Sequence, residues 1–142
     1  MPAQFHENGI RFQYPENWQM DREETGSGWT VSVQSPGTAF FLVSYDGDMP
    51  ETELMADTAL EALRSEYPGL EADEAVESLA GQPAVGHDVQ FFSFDLTNTC
   101  WLRSFYSSSG TVLAMWQAND LELESVEPVL RAISASIQLD GD

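Results

Sequence analysis

The chain has no lysine. Its five basic residues are all arginines, Arg11, Arg22, Arg64, Arg103 and Arg131. Without an ε-amine there is no internal Schiff base and no phosphate loop of the Gly-Lys-Ser/Thr kind. Histidine is scarce as well, with only His6 and His87. Cys100 is the single cysteine, so no intrachain disulfide forms, which fits a reducing compartment. No apolar run approaches the roughly 20 residues that a membrane-spanning helix needs. The opening Met-Pro-Ala-Gln-Phe-His-Glu lacks the basic-then-apolar pattern of a secretory signal. These absences lead to the expectation of a cytoplasmic protein with no membrane insertion.

What is abundant is acid. Twenty-four Asp and Glu face the five arginines, for a formal charge of −19 over 142 residues. Such a charge repels nucleic acid and anionic membranes, and favours a protein partner with a basic or apolar surface. The same charge also serves solubility, or a salty habitat. The apolar fraction is 42% and the aromatic fraction 11%, enough to build a core. The length suits a single domain over residues 1–142.

Hydrophobic periodicity divides the chain. Ile10, Phe12 and Tyr14 alternate with Arg11 and Gln13, as in a half-buried strand, before a turn at Pro15-Glu16-Asn17-Trp18. Trp29, Val31 and Val33 alternate again up to a Pro36-Gly37 turn, and 39–45 is apolar enough for a central strand. The period then changes. Ala56, Leu60, Leu63 and Tyr67 recur at helical spacing between Pro50 and Pro68-Gly69. Residues 70–79 read as a strand leading into a hairpin at Gly81-Gln82-Pro83. Three long strands follow near 84–95, 99–107 and 111–118. A helix over 125–135 has Ser125 as its cap and Pro128 in its first turn. Strands and helices in this order predict an α+β sandwich, with helices on a mostly antiparallel sheet of six or seven strands.

A register can be proposed for the three long strands. A turn over Asp95-Leu96-Thr97-Asn98 sets Phe92 opposite Arg103 and Phe94 opposite Trp101. A turn over Ser107-Ser108-Ser109-Gly110 sets Phe105 opposite Val112 and Trp101 opposite Trp116. One face then collects Phe92, Phe94, Trp101, Arg103, Phe105 and Trp116. The other collects Val89, Phe91, Cys100, Leu102, Tyr106, Leu113 and Met115. Both need covering, by helices or by a partner.

The opening Gly9-Ile10-Arg11-Phe12-Gln13-Tyr14-Pro15-Glu16-Asn17-Trp18 resembles the G-I-x-F-x-Y-P-x-x-W start of the PsbP/Mog/DcrB-like superfamily. Leu79-Ala80-Gly81-Gln82-Pro83-Ala84 is similar to its L-x-G-x-P-A hairpin. Ala132-Ile133-Ser134-Ala135-Ser136-Ile137 is similar to its closing I-x-x-S-hydrophobic pattern. The resemblance implies a PsbP-like α/β/α sandwich. It implies no particular chemistry, because members include photosystem accessory proteins, a nuclear-transport GTPase cofactor, lipoproteins and chaperones of type VI secretion effectors. The missing signal departs from the lipoprotein members, and no catalytic motif carries over onto residues here.

The candidate chemistry is thin. His87 and Asp88 are strand neighbours and point to opposite faces, so they do not form a pair. Gly26-Ser27-Gly28 is not a nucleophile elbow. Cys100 sits among apolar residues and reads as inert packing. Asp46-Gly47-Asp48 resembles a fragment of a calcium loop without the rest of its ligands, and suits a turn into a helix. The residues predict no metal site, no cofactor and no enzyme.

Arg103 between Trp101 and Phe105 stands apart. An arginine among aromatics in mid-strand is stacked, paired with an acid such as Asp88 or a helix glutamate, or open to a groove. Trp101, Arg103, Phe105 and Trp116 are therefore the candidate binding residues of a non-catalytic module that presents a sheet face or groove to a protein, with chaperone-like capture as its most concrete form. The alternative is a small-ligand protein or hydrolase with a pocket between helix and sheet.

Overall fold

Asn8 and Gly9 adopt left-handed conformations, at φ 52° and 77°, and turn the start of the chain into a hairpin. Asn-Gly is the favoured pair for this turn, because both central residues must carry positive φ. The hairpin joins β1 (Ala3–Glu7) to β2 (Ile10–Tyr14). In this computed structural model, which describes residues 2–140, the chain continues through β3 (Gln19–Glu24), β4 (Gly28–Gln34) and β5 (Phe40–Asp46) to helix α1 (Thr52–Glu66). Strands β6 (Glu71–Leu79), β7 (Gln82–Ser93), β8 (Leu96–Tyr106) and β9 (Thr111–Asn119) follow, then helix α2 (Asp120–Ala135) and the short β10 (Gln138–Leu139).

Seven strands form one antiparallel sheet in the order β3-β4-β5-β9-β8-β7-β6. A second, three-stranded sheet has the order β1-β2-β10. The architecture is α+β, as the strand and helix pattern predicts. The expected strand over 70–79 is β6, and the apolar strand near 39–45 is β5, paired on both sides. Periodicity missed β1, β3 and β10. β3 shows no apolar alternation, being exposed along nearly its whole length at the sheet edge.

The two faces of the large sheet carry separate apolar clusters. On one, Trp29, Val31, Val33, Phe41, Val43, Trp101, Phe105 and Trp116 pack under Val126, Leu130 and Ile133 of α2 and under Phe5, Ile10 and Phe12 of the small sheet. On the other, Val89, Phe91, Cys100 and Leu102 pack against Leu60, Leu63 and Tyr67 at α1. Both faces are thus covered in part, by one helix each.

Helix α2 starts earlier than its apolar stripe suggests. Asn119 is its cap, with Oδ1 accepting from the backbone N–H of Leu121 and Glu122 at 3.0 and 3.1 Å. Ser125 is therefore inside the helix rather than capping it, and Pro128 lies beyond the first turn.

Candidate partner-binding face

The β8–β9 register is the expected one, with Phe105 opposite Val112 and Trp101 opposite Trp116. The β7–β8 register is not. Its turn is the two residues Phe94 and Asp95, both at positive φ, 52° and 62°, so Ser93 pairs with Leu96. Arg103 consequently faces Gly86 rather than Phe92, and Trp101 faces Asp88 rather than Phe94. The difference has a physical cause: Phe-Asp is a poor match to the Asn-Gly preference of a two-residue turn, whereas Thr97-Asn98 has ordinary turn chemistry.

The four expected residues do come together. Trp101, Arg103, Phe105 and Trp116 share one face of β8 and β9, with 8%, 5%, 0% and 2% of their surfaces exposed. The Trp101 ring stacks on Trp116 at 6.1 Å, and Trp116 stacks on Phe41 of β5 at 5.1 Å, nearly parallel. Phe41 then meets Phe12 of the small sheet at 6.2 Å. The aromatic row is a cross-strand ladder that ends under the small sheet.

Arg103 sits at the hub of this face. Its Nε donates to Glu77 Oε2 on β6 at 2.5 Å, and its Nη2 donates to Asp88 Oδ1 on β7 at 2.7 Å. Nη1 donates to the carbonyls of Leu102 and His87. The guanidinium carbon lies 6.0 Å from the centre of the Trp116 ring. One buried cation thus ties four strands together. Glu77 was not legible as a partner, since only the β6–β7 pairing places it alongside β8.

The sequence neighbours His87 and Asp88 do point apart. His87 is buried under α1, with Nε2 2.9 Å from Asp57 Oδ1. A cavity of about 250 Å³ opens there, lined by Glu53, Ala56, Asp57, Glu74, Val76 and His87 among others. Among the described residues, no hydroxyl or thiol side chain lines it. Cys100 is fully buried, and burial pushes its thiol up to about 12. Asp46 accepts from the backbone N–H of Asp48, as a turn residue does.

Beyond α2 and the small sheet, the Trp101 face is open at Glu71 and Asp73 of β6 and at Asp88, Gln90 and Phe92 of β7. Phe92 is 65% exposed there, and Phe94 at the hairpin tip is 96% exposed. Between them and the buried tryptophans lies a cavity of about 270 Å³, lined by Glu71, Asp73, Asp88, Val89, Gln90, Thr99 and Trp101. Its rim is acidic and its inner wall is an aromatic ring.

No protein-family profile matches the chain, and no curated protein matches it. Solved structures do. Cyanobacterial PsbP (CyanoP) of Synechocystis sp. PCC 6803 superimposes at a TM-score of 0.65 with 12% identity, over 97% of this chain and 92% of that one. The fold is PsbP-like. LpqN of Mycobacterium tuberculosis, described as involved in cell envelope biogenesis, gives a TM-score of 0.62 at 14% identity, over 98% and 89% of the two chains. A Pseudomonas aeruginosa protein of unknown function, PA94, described as a putative regulator, gives 0.58 at 16% identity over 99% of both. At such identities the likeness concerns the PsbP-like fold alone. No helix among the described residues is long and apolar enough to cross a membrane.

Proposed function

We propose that the protein is a non-catalytic binding module that holds a protein partner against the uncovered end of its large sheet, in the manner of a chaperone or accessory subunit. The observation that carries this reading is Phe92 and Phe94, two aromatic rings held out to solvent where the Trp101 face emerges from under α2. Exposed rings on a protein with this much charge contribute nothing to solubility, and aromatic residues are enriched where partners bind. Phe94 also occupies a left-handed conformation that a bulky side chain seldom adopts, and strain of this kind gathers at functional positions.

The buried quartet of Trp101, Arg103, Phe105 and Trp116 supports that end from beneath, and of the four Trp101 lines the cavity. A partner with basic and apolar groups fits the acids Glu71 and Asp73 around it. The pocket between α1 and the sheet suits a small ligand less well, because its polar groups are three carboxylates and a histidine already paired with Asp57.

The test is affinity capture with the wild-type chain and with a Phe92→Ser/Phe94→Ser variant whose denaturation midpoint is unchanged. One partner retained by the wild type and lost by the variant is expected. Equal retention by both would place binding elsewhere.

A further inference from the structure

Strand β6 ends the seven-stranded sheet: β7 pairs one side, and among the described residues no strand pairs the other. The pairing with β7 runs unbroken from Glu71–Gln90 to Leu79–Gln82, with no bulge and no proline on β6. Nine residues at about 3.3 Å each make an unbroken edge about 30 Å long. Backbone donors and acceptors point outward along it, which is a template for another strand.

All charged side chains of this edge are acids: Glu71, Asp73, Glu74 and Glu77. A second copy of the chain would set carboxylates against carboxylates, which is unfavourable across a strand pair. A strand carrying arginine or lysine would meet opposite charge instead. The opposite edge, β3, is shorter at six residues and carries Arg22, already tied to Glu7 and Glu24.

Two cavities reach β6, one on each face. The 270 Å³ cavity on the Trp101 face includes Glu71 and Asp73, and the 250 Å³ cavity beside α1 includes Glu74 and Val76. Val76, 75% exposed in mid-strand, adds an apolar contact on the α1 side. Side chains of an added strand alternate between faces, so they would reach the two acid-rimmed cavities in turn.

We propose that β6 is a docking edge for an extended basic segment of a different protein, which joins the large sheet as an eighth strand. This rests on the reading of the protein as a partner-binding module, and it names the partner's chemistry and the mode of capture.

The probe is a labelled peptide about as long as β6, alternating arginine and valine, followed by fluorescence anisotropy and amide hydrogen exchange. Binding should slow exchange at β6 amides. Asp73→Lys/Glu74→Lys should weaken it about tenfold, whereas Asp21→Lys/Glu23→Lys, with the same net charge but altered on β3, should change it little. Equal weakening by both variants means that total charge alone holds the peptide, and overturns strand addition. Protection confined to the Phe92–Phe94 hairpin also overturns it, while leaving the partner-binding reading intact. No binding at low salt overturns it too; the Phe92→Ser/Phe94→Ser capture experiment judges the broader reading separately.

Discussion

Arg103 and Asp88 meet at 2.7 Å across the β7–β8 pair, but they share the burden of burial unequally. The arginine side chain is 6% exposed and the aspartate 48%. Glu77, the second carboxylate, is 37% exposed. The cation is therefore the member that has left water, and the acids keep much of their hydration.

That asymmetry predicts which partner is costly to remove. Glu77→Gln with Asp88→Asn leaves a buried guanidinium without a counter-charge, and should cost about 3–5 kcal/mol. Arg103→Met leaves two acids that water can reach and keeps much of the packing on Trp116, so it should cost clearly less. Urea denaturation of both variants checks this; an equal loss would mean that the ion pairs are effectively solvent-exposed.

Trp101→Ala removes a buried ring from the stack on Trp116 and should cost about 3–5 kcal/mol. Gly86 is a second sensitive position. A methyl group there would sit 1.7 Å from the Leu102 carbonyl oxygen, so Gly86→Ala must push β7 away from β8. At least the usual 1–3 kcal/mol of overpacking is expected, read as a lower midpoint in thermal or urea unfolding.

The hairpin tip should respond in the opposite direction. Phe94→Asn with Asp95→Gly supplies the pair that a two-residue turn favours and replaces a bulky ring and an aspartate at positive φ by residues that adopt it readily. A gain of about 1 kcal/mol is expected, together with loss of partner capture. A less stable variant would mean that Phe94 packs against the protein in solution.

Cys100 should react slowly with thiol reagents until the protein unfolds, since it is buried and its thiol is pushed up to about 12 from a normal 9.0. The folded state holds the proton more tightly than the unfolded state. The stabilisation is complete below about pH 9 and is lost as pH rises from there through the folded value near 12. Cys100→Ala should therefore lose less stability than the wild type between pH 8 and pH 10. Equal losses measured by urea unfolding at the two pH values would sink this assignment.

Local periodicity specified the element types wherever one period dominated. Ile10-Phe12-Tyr14 and Trp29-Val31-Val33 had to be strands, and Ala56-Leu60-Leu63 had to lie on a helix, because only those geometries gather these side chains on one face. The β8–β9 register was legible too, since four residues of ordinary turn chemistry separate Tyr106 from Thr111. Asn8-Gly9 is likewise a local signal, for the first hairpin.

Long-range packing set the other features. A turn formed by Phe94 and Asp95 runs against local preference, and it holds because the long β7–β8 ladder outweighs the strain of two residues. That ladder, and not any local signal, sets Gly86 against Arg103. Pairing of β6 with β7 likewise brings Glu77 within reach of a guanidinium 26 residues away along the chain. Which part of the Trp101 face stays open depends on where α2 and the small sheet come to rest. Packing between elements distant in sequence settles that placement, and no periodicity within a single element encodes it.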